Sequence, residues 1–242
     1  MKKNILLLLI FLSTNIYASE ILFQNANNFY KSGEYENAIA LYDEIISDNF
    51  VSHELYYNIG NCYYKLEKWA DAIWYYEKSL QLKKTENAIQ NLQLAELKIV
   101  DRIETLPELF FVSWWNNIIN ILSIKTWQIL SILLVWLALL IKILKYKIGF
   151  SQKYMLKMLL ILSFTFFFIA NYLVIKNKNT IEGVIYTNSI DITSAPTNNS
   201  TVQFTIHAGS KVQIIDQIQD WVNIRLKNGS SGWVKEVHIK KL

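Results

Sequence analysis

Shifted against itself by 34 residues (72 − 38 = 34), the N-terminal part of the chain repeats. Ala38 falls on Ala72, Asn27 on Asn61, Phe29 on Tyr63, Tyr30 on Tyr64 and Lys31 on Lys65; Tyr35 meets Trp69, Ile39 meets Ile73 and Tyr42 meets Tyr76. A period of this length accommodates two short helices, with small residues (Ala26/Gly60, Ala38/Ala72) where the helices of a hairpin touch. One hairpin has too little core alone, so the aromatics are expected to pack each hairpin on the next. The pattern predicts helices over Ser19–Ser32, Tyr35–Ser47, Ser52–Leu66 and Trp69–Leu82. Gly33 suits the turn of the first repeat, where the second has Glu67. A fifth amphipathic helix, Thr85–Glu104, carries Ile89, Leu92, Leu94, Leu97 and Ile99 and ends before Pro107, as a cap would.

This period resembles the tetratricopeptide repeat, and residues 19–105 are predicted to form two such repeats plus a capping helix. In the usual register of that family the groove positions are Phe23, Asn27, Tyr30 and Lys31, then Tyr57, Asn61, Tyr64 and Lys65. Asparagine can bind the backbone of an extended peptide, tyrosine can cover its side chains and lysine can meet a carboxylate. Shared ancestry of the two repeats accounts equally well for the recurring Asn-Tyr-Lys triplet. Cys62, the single cysteine, is expected to be packing, with an intermolecular bridge as the alternative.

The remainder is far more apolar. Over the whole chain 52% of residues are hydrophobic and 18% charged, and the net charge of +4 is unevenly divided. Residues 20–105 hold 8 basic and 14 acidic side chains, residues 106–179 hold 8 and 1, and residues 180–242 hold 6 and 5. The positive excess therefore surrounds the apolar stretch, which points to membrane orientation and not to nucleic acid. Residues 1–18 read as a signal peptide: Lys2 and Lys3, the apolar run Ile5–Leu12, then a cut after Ala18, with an uncleaved N-terminal anchor as the alternative. Two transmembrane helices are predicted at 124–144 and 155–175, joined by a loop at 145–154. Lys142, Lys145, Lys147, Lys153 and Lys157 crowd the loop, against Lys125, Lys176 and Lys178 on the outer flanks. The positive-inside rule puts that loop in the cytoplasm and both flanking domains on the periplasmic side of a bacterial inner membrane. Residues 109–122 place Ser113, Asn116, Asn117 and Asn120 on one helix face and Phe or Trp on the rest, as an interfacial amphipathic helix does; packing on the repeats is the alternative. Asn171 is expected to hydrogen-bond across the hairpin.

From Thr180 short alternating runs take over: GVIYTNS, IDITSAP, VQFTIHA, KVQIID, WVNIRL and GWVKEV, with turns at Gly209 and Asn228-Gly229. They predict a small all-β barrel over 180–242. The phrases SAPTNNS, HAGSKVQII, DWVNIRL and GWV resemble bacterial SH3-like domains, with Trp221 and Trp233 at that family's two tryptophan positions. The two indoles are expected to plug the barrel, or else to line a ligand surface. The fold class is thus multidomain: helical hairpins, two transmembrane helices and a β-barrel. No metal or other cofactor is expected, since His53, His207 and His238 lack ligand spacing. No nucleophile–base or carboxylate constellation argues for an enzyme.

The order of signal peptide, helical repeats, membrane hairpin and SH3-like domain resembles the BatE family, the Bacteroides aerotolerance E proteins. The resemblance implies a component of the Bat system, whose other members include membrane proteins with von Willebrand factor A domains, acting in envelope or oxidative-stress fitness. It implies a membrane-anchored scaffold with protein partners; a cell-wall-sensing receptor binding peptidoglycan through the SH3-like domain is the alternative.

Overall fold

The computed structural model describes residues 19–104, 106–107, 109–143 and 150–242. The expected signal peptide lies outside them, as do residue 144 of the first expected transmembrane helix and residues 145–149 of the expected loop. The chain forms two compact units: residues up to Thr105 together with Glu182–Leu242, and Leu106–Ile181.

In the first unit, helix α1 covers residues 19–32. It is followed by α2 (Tyr35–Ser47), α3 (His53–Lys65), α4 (Trp69–Leu82) and α5 (Glu86–Glu96). The turns show why the hairpins repeat. Gly33 (φ 84°) and Glu67 (φ 60°) occupy the same left-handed position. Around them the same bonds recur: Gly33 N–H to Tyr30 O (3.1 Å) and Glu34 N–H to Phe29 O (2.9 Å), then Glu67 N–H to Tyr64 O (3.2 Å) and Lys68 N–H to Tyr63 O (3.0 Å). These close the helix C-termini and satisfy otherwise orphaned carbonyls. Ser52 caps α3, its hydroxyl accepting from Leu55 N–H at 3.0 Å. Small residues do what the period predicts: a Cβ on Gly60 would lie 2.6 Å from the Tyr76 ring. Aromatic contacts are also periodic. Phe23–Tyr42 (5.8 Å) is repeated as Tyr57–Tyr76 (6.0 Å), and Tyr30–Tyr35 (5.4 Å) as Tyr64–Trp69 (5.1 Å).

The capping helix departs from expectation. It ends at Glu96, not Glu104, and the following strut is drawn onto the β-domain. Ile99 joins the Tyr76 cluster and Ile103 packs on the barrel core. The Asp101 carboxylate accepts from the His207 backbone N–H at 2.6 Å and from the Ser210 hydroxyl at 2.7 Å. Its other oxygen meets His207 Nδ1 at 2.8 Å. Tertiary contacts here outweigh a helical pattern that is only marginal in isolation.

The β-domain is antiparallel in each described pairing, with β1 (Ile181–Ile185), β2 (Ser189–Thr193), β3 (Val202–His207), β4 (Lys211–Ile218), β5 (Trp221–Arg225), β6 (Ser231–Lys235) and β7 (Ile239–Lys241). The sheet order is β3-β2-β6-β5-β4-β1-β7. The last strand, absent from the sequence reading, follows a 3-10 turn at Glu236–His238 and pairs with β1. The interior is aliphatic: Ile185, Ile192, Ile206, Val212, Ile214, Val222, Ile224 and Val234. The tryptophans therefore do not plug the barrel. In β5 and β6 the inward positions are Val222, Ile224, Gly232 and Val234, while Trp221 and Trp233 alternate to the outer face. Val184 and Leu242 join Ala72, Ile73, Tyr76 and Ala95 in one apolar cluster, so the β-domain closes the end of the repeat array.

In the second unit, α6 (Phe110–Asn120) precedes α7 (Ile124–Ile143) and α8 (Phe150–Asn179). Residues 150–154, expected in the loop, are thus helical. Segments Ile124–Ile143 and Lys153–Lys178 are long and apolar enough to cross a membrane. Cross-hairpin bonding falls to a serine pair, not to Asn171. Ser131 Oγ donates to Ser163 O at 3.0 Å and Ser163 Oγ to Ser131 O at 2.9 Å, both residues being buried. Asn171 is exposed and donates within its own helix, to Phe167 O at 2.8 Å. Two short polar side chains let backbones approach where a long amide would hold them apart. Helix α6 packs through Ile119, whose carbonyl accepts from Trp127 Nε1 at 3.0 Å, while Phe110, Phe111, Trp114 and Trp115 remain exposed.

Glu67 sits in a conformation that costs a non-glycine residue about 1–2 kcal/mol. Glu67→Gly should stabilise the protein by about 0.5–1 kcal/mol after glycine's own entropy cost, as a raised midpoint in thermal unfolding.

Candidate functional site

Helices α1 and α3 position the predicted groove residues. Lys31 and Lys65 are exposed and form no ion pair among the described residues. Tyr30, Tyr57 and Tyr64 are half-buried, each against an aromatic ring of its own hairpin's second helix. Burial raises the Tyr30 hydroxyl above its usual value, reinforced by neighbouring Cys62, Tyr35 and Tyr57.

The two asparagines have an internal task. Asn27 Oδ1 accepts from the Tyr42 hydroxyl at 2.6 Å and from Asn58 Nδ2 at 3.0 Å. Asn61 Oδ1 accepts from the Tyr76 hydroxyl at 2.9 Å and from Asn91 Nδ2 at 2.8 Å. Each amide thus ties the first helix of its hairpin to the second helix and to the first helix of the next. Tyr42 and Tyr76 are buried, so their hydroxyls require these acceptors. The donors Asn27 Nδ2 and Asn61 Nδ2 make no hydrogen bond among the described residues. Such a donor suits a peptide carbonyl. Asn91 extends the row from α5, with Nδ2 also reaching the Tyr57 hydroxyl at 3.0 Å. It lies 34 residues after Tyr57, at the place in the period that Phe23 and Tyr57 occupy, so carrying the repeat register on into the capping helix reaches it.

Cys62 is fully buried, and burial pushes its thiol up to about 12. It packs in the core shared by α1, α2 and α3, which favours the packing expectation over the intermolecular bridge.

On the β-domain, Trp221 and Trp233 are half-buried on the outer face on either side of Asn223, which pairs across the sheet with Trp233. Asn223 Oδ1 is buried with no hydrogen-bond partner among the described residues. Lys235 Nζ lies 5.6 Å from the centre of the Trp221 ring. This is a partly apolar surface with one acceptor awaiting a donor.

Sequence reasoning missed the seam between repeats and β-domain. Lys211 bridges Glu77 (2.8 Å) and Glu182 (2.9 Å), and the Tyr186 hydroxyl donates to Asp71 at 3.1 Å. A cavity of about 550 Å³ at this seam is lined by Lys68, Trp69, Asp71, Lys98, Tyr186 and His207 among others. Asp71 is 7% exposed, unusual for an aspartate in a surface helix. Its heptad neighbours carry no mark of that burial, because its partners lie more than a hundred residues away.

With this geometry in place, comparison with known proteins is informative at the level of modules. Residues 191–240 match the family model for the bacterial SH3 domain, and residues 53–86 that for the tetratricopeptide repeat. No curated protein matches the chain. Among solved structures it is similar to the first TPR of Spaghetti (RPAP3) bound to HSP90 peptide SRMEEVD, at 23% identity and a TM-score of 0.31. That similarity covers 33% of this chain and 64% of that one. The chain therefore joins a tetratricopeptide module and a bacterial SH3 module, both of kinds that bind other molecules.

Removing the carboxamide should leave a buried tyrosine hydroxyl unpaired. Asn27→Ala or Asn61→Ala should each cost about 1–3 kcal/mol, measured by chemical denaturation. For Asp101, burial raises the carboxyl, but the backbone and ring of His207 and the Ser210 hydroxyl hold it, on balance, below the ordinary carboxylate value. Its contribution is therefore present above that ordinary value, about 4, and is lost as pH falls through the depressed one. Asp101→Asn should be destabilised near neutral pH, and the gap from wild type should narrow on acidification below about 4.

Proposed function

We infer that this protein is a membrane-anchored, periplasm-facing scaffold for protein–protein interaction, a Bat-system component in envelope and oxidative-stress tolerance. Its expected partners are Bat membrane proteins with von Willebrand factor A domains. The observation that carries the reading is that the repeats and the β-domain share one folded unit although residues 106–181 separate them in sequence. Modules that share a core lie on one side of a bilayer, so an intervening membrane segment must cross an even number of times. Two apolar helices, Ile124–Ile143 and Lys153–Lys178, suit that requirement. The lysine-rich sequence between them favours the cytoplasm, and a signal peptide cut after Ala18 would export the repeats. Helix α6, with its exposed aromatics, would lie in the interface.

The capture surface is the groove of α1 and α3. Its free elements are Lys31, Lys65 and the two unpaired Nδ2 donors, which suit an extended acidic peptide. A second reading, a receptor that binds peptidoglycan, draws on the outer face of β5 and β6. There the unpartnered Asn223 oxygen between Trp221 and Trp233 would accept from an amide N–H of a wall peptide.

Because the asparagines also hold the fold, the lysines provide the cleaner test. Lys31→Glu with Lys65→Glu should leave the thermal midpoint within about 2 °C of wild type, since exposed substitutions away from packed features change stability little. It should reduce co-purification of von Willebrand A-type partners in mild detergent at least tenfold. Undiminished co-purification would reject the groove, and retention of the full chain on purified peptidoglycan, lost with Trp233→Ala, would favour the receptor reading.

A further inference from the structure

Around Lys240 the seam has the form of a recognition site. This residue lies in β7, opposite Val184 of β1. Its ammonium is 4.0 Å from the centre of the Trp74 ring, 5.1 Å from Tyr75 and 5.7 Å from Tyr186. Asp71 Oδ1 lies 3.8 Å away. Three aromatic faces and a buried carboxylate around one cation form the kind of site that binds ammonium groups by ring quadrupole and charge together. Half is built by α4 (Asp71, Trp74, Tyr75) and half by the β-domain (Tyr186 and Lys240).

Two of the three aromatic walls are held by hydrogen bonds of their own. Trp74 Nε1 donates to Lys241 O at 2.9 Å, and the Tyr186 hydroxyl donates to Asp71 Oδ2 at 3.1 Å. The rings are therefore kept in place when the lysine side chain is shortened. The side chain of Lys240 is 36% exposed, so a small cation can enter from solvent once its head is removed. Lys78 approaches the same indole at 5.1 Å, a like charge opposing the occupant.

We propose that the seam of α4 and the β-domain carries a primary-ammonium binding cage, that Lys240 is its resident ligand, and that this contact latches the C-terminal strand to the repeats. The strand it holds is a short one: β7 is paired with β1 over Gly183–Ile185 and is continued by the Leu242 N–H donating to Glu182 O at 2.9 Å. With Lys240 withdrawn, the cage would open to a lysine of another chain while β7 keeps its pairing with β1, because the site recognises the ammonium and not the backbone that carries it.

Chemical replacement tests this in the full chain, purified in mild detergent. Lys240→Ala should lower the thermal midpoint. Millimolar n-butylammonium chloride should restore at least half of the loss, whereas equal sodium chloride or neutral butanol should not. Wild type, its cage filled, should not respond to butylammonium, and Lys240→Ala with Trp74→Leu should lose the rescue. No rescue beyond the sodium control, or an equal shift in wild type, would overturn the cage. Lys240→Met, which keeps the apolar stem, provides an independent measure of the latch if the alanine variant folds poorly. Hydrogen exchange at the Leu242 amide should quicken at least tenfold in it, with amides of α1 unchanged; an unchanged Leu242 rate would overturn the latch.

Discussion

The interaction on which the first unit depends is the burial of Tyr76. Its ring lies against Gly60, which can have no side chain there, and its hydroxyl is held by Asn61. In the same apolar cluster are Ala72 and Ile73 of its own helix, Ala95 of the next, and Val184 of the β-domain. Helical repeats are quasi-one-dimensional and must be closed at their ends by something other than another repeat. Here the short helix α5 covers part of the end and a β-domain from the far end of the chain covers the rest. Two modules that match separate family models are thus not beads on a string, because their apolar clusters merge at this residue.

That dependence leaves the amides of the groove with one end secured and one end open. The oxygen of Asn61 secures Tyr76 and Asn91, while its nitrogen is left without a partner among the described residues; Asn27 repeats the arrangement with Tyr42 and Asn58. The recurrence of Asn in both repeats follows from the packing need alone. It also leaves two similar donors, one period apart, beside exposed lysines. The structural role and the proposed binding would not compete for one asparagine, since they call on opposite ends of the amide.

Local features were legible in the sequence to the extent that their causes were local. Helices α1 and α3 end where the turn residues require, and even the departure at Glu67 keeps the left-handed conformation of Gly33. The β-runs were visible from alternation, but the direction of Trp221 and Trp233 was not: volume suggested the interior, and register, fixed by Val222 and Val234 pairing inward, decided otherwise. The early end of α5 was illegible for a further reason. Residues 97–104 continue an acceptable helical pattern, and only His207 and Ser210, folded alongside, offer Asp101 three hydrogen bonds that a helix would forfeit. In the hairpin, Asn171 drew attention as the larger amide, although close approach of two backbones favours the smaller hydroxyls of Ser131 and Ser163.

Unit 1 is discontinuous in sequence, and this has a consequence for folding order. The repeats are complete as a set of local contacts, but Asp101 and Ile103 acquire the partners described above only when residues beyond Glu182 exist. During synthesis, the exposed end of the array, with Ile73 and Trp74 uncovered, must wait while residues 106–181 are made. The ion pairs of Lys211 with Glu77 and Glu182, and the Asp101 cluster, then form together with apolar contacts. Charged groups at such a seam are shielded from water on both sides only after docking, so their hydrogen bonds gain strength as the surface closes. The seam therefore favours a docked state over a partly docked one, and a contact at its margin, such as the C-terminal strand, is where opening would begin.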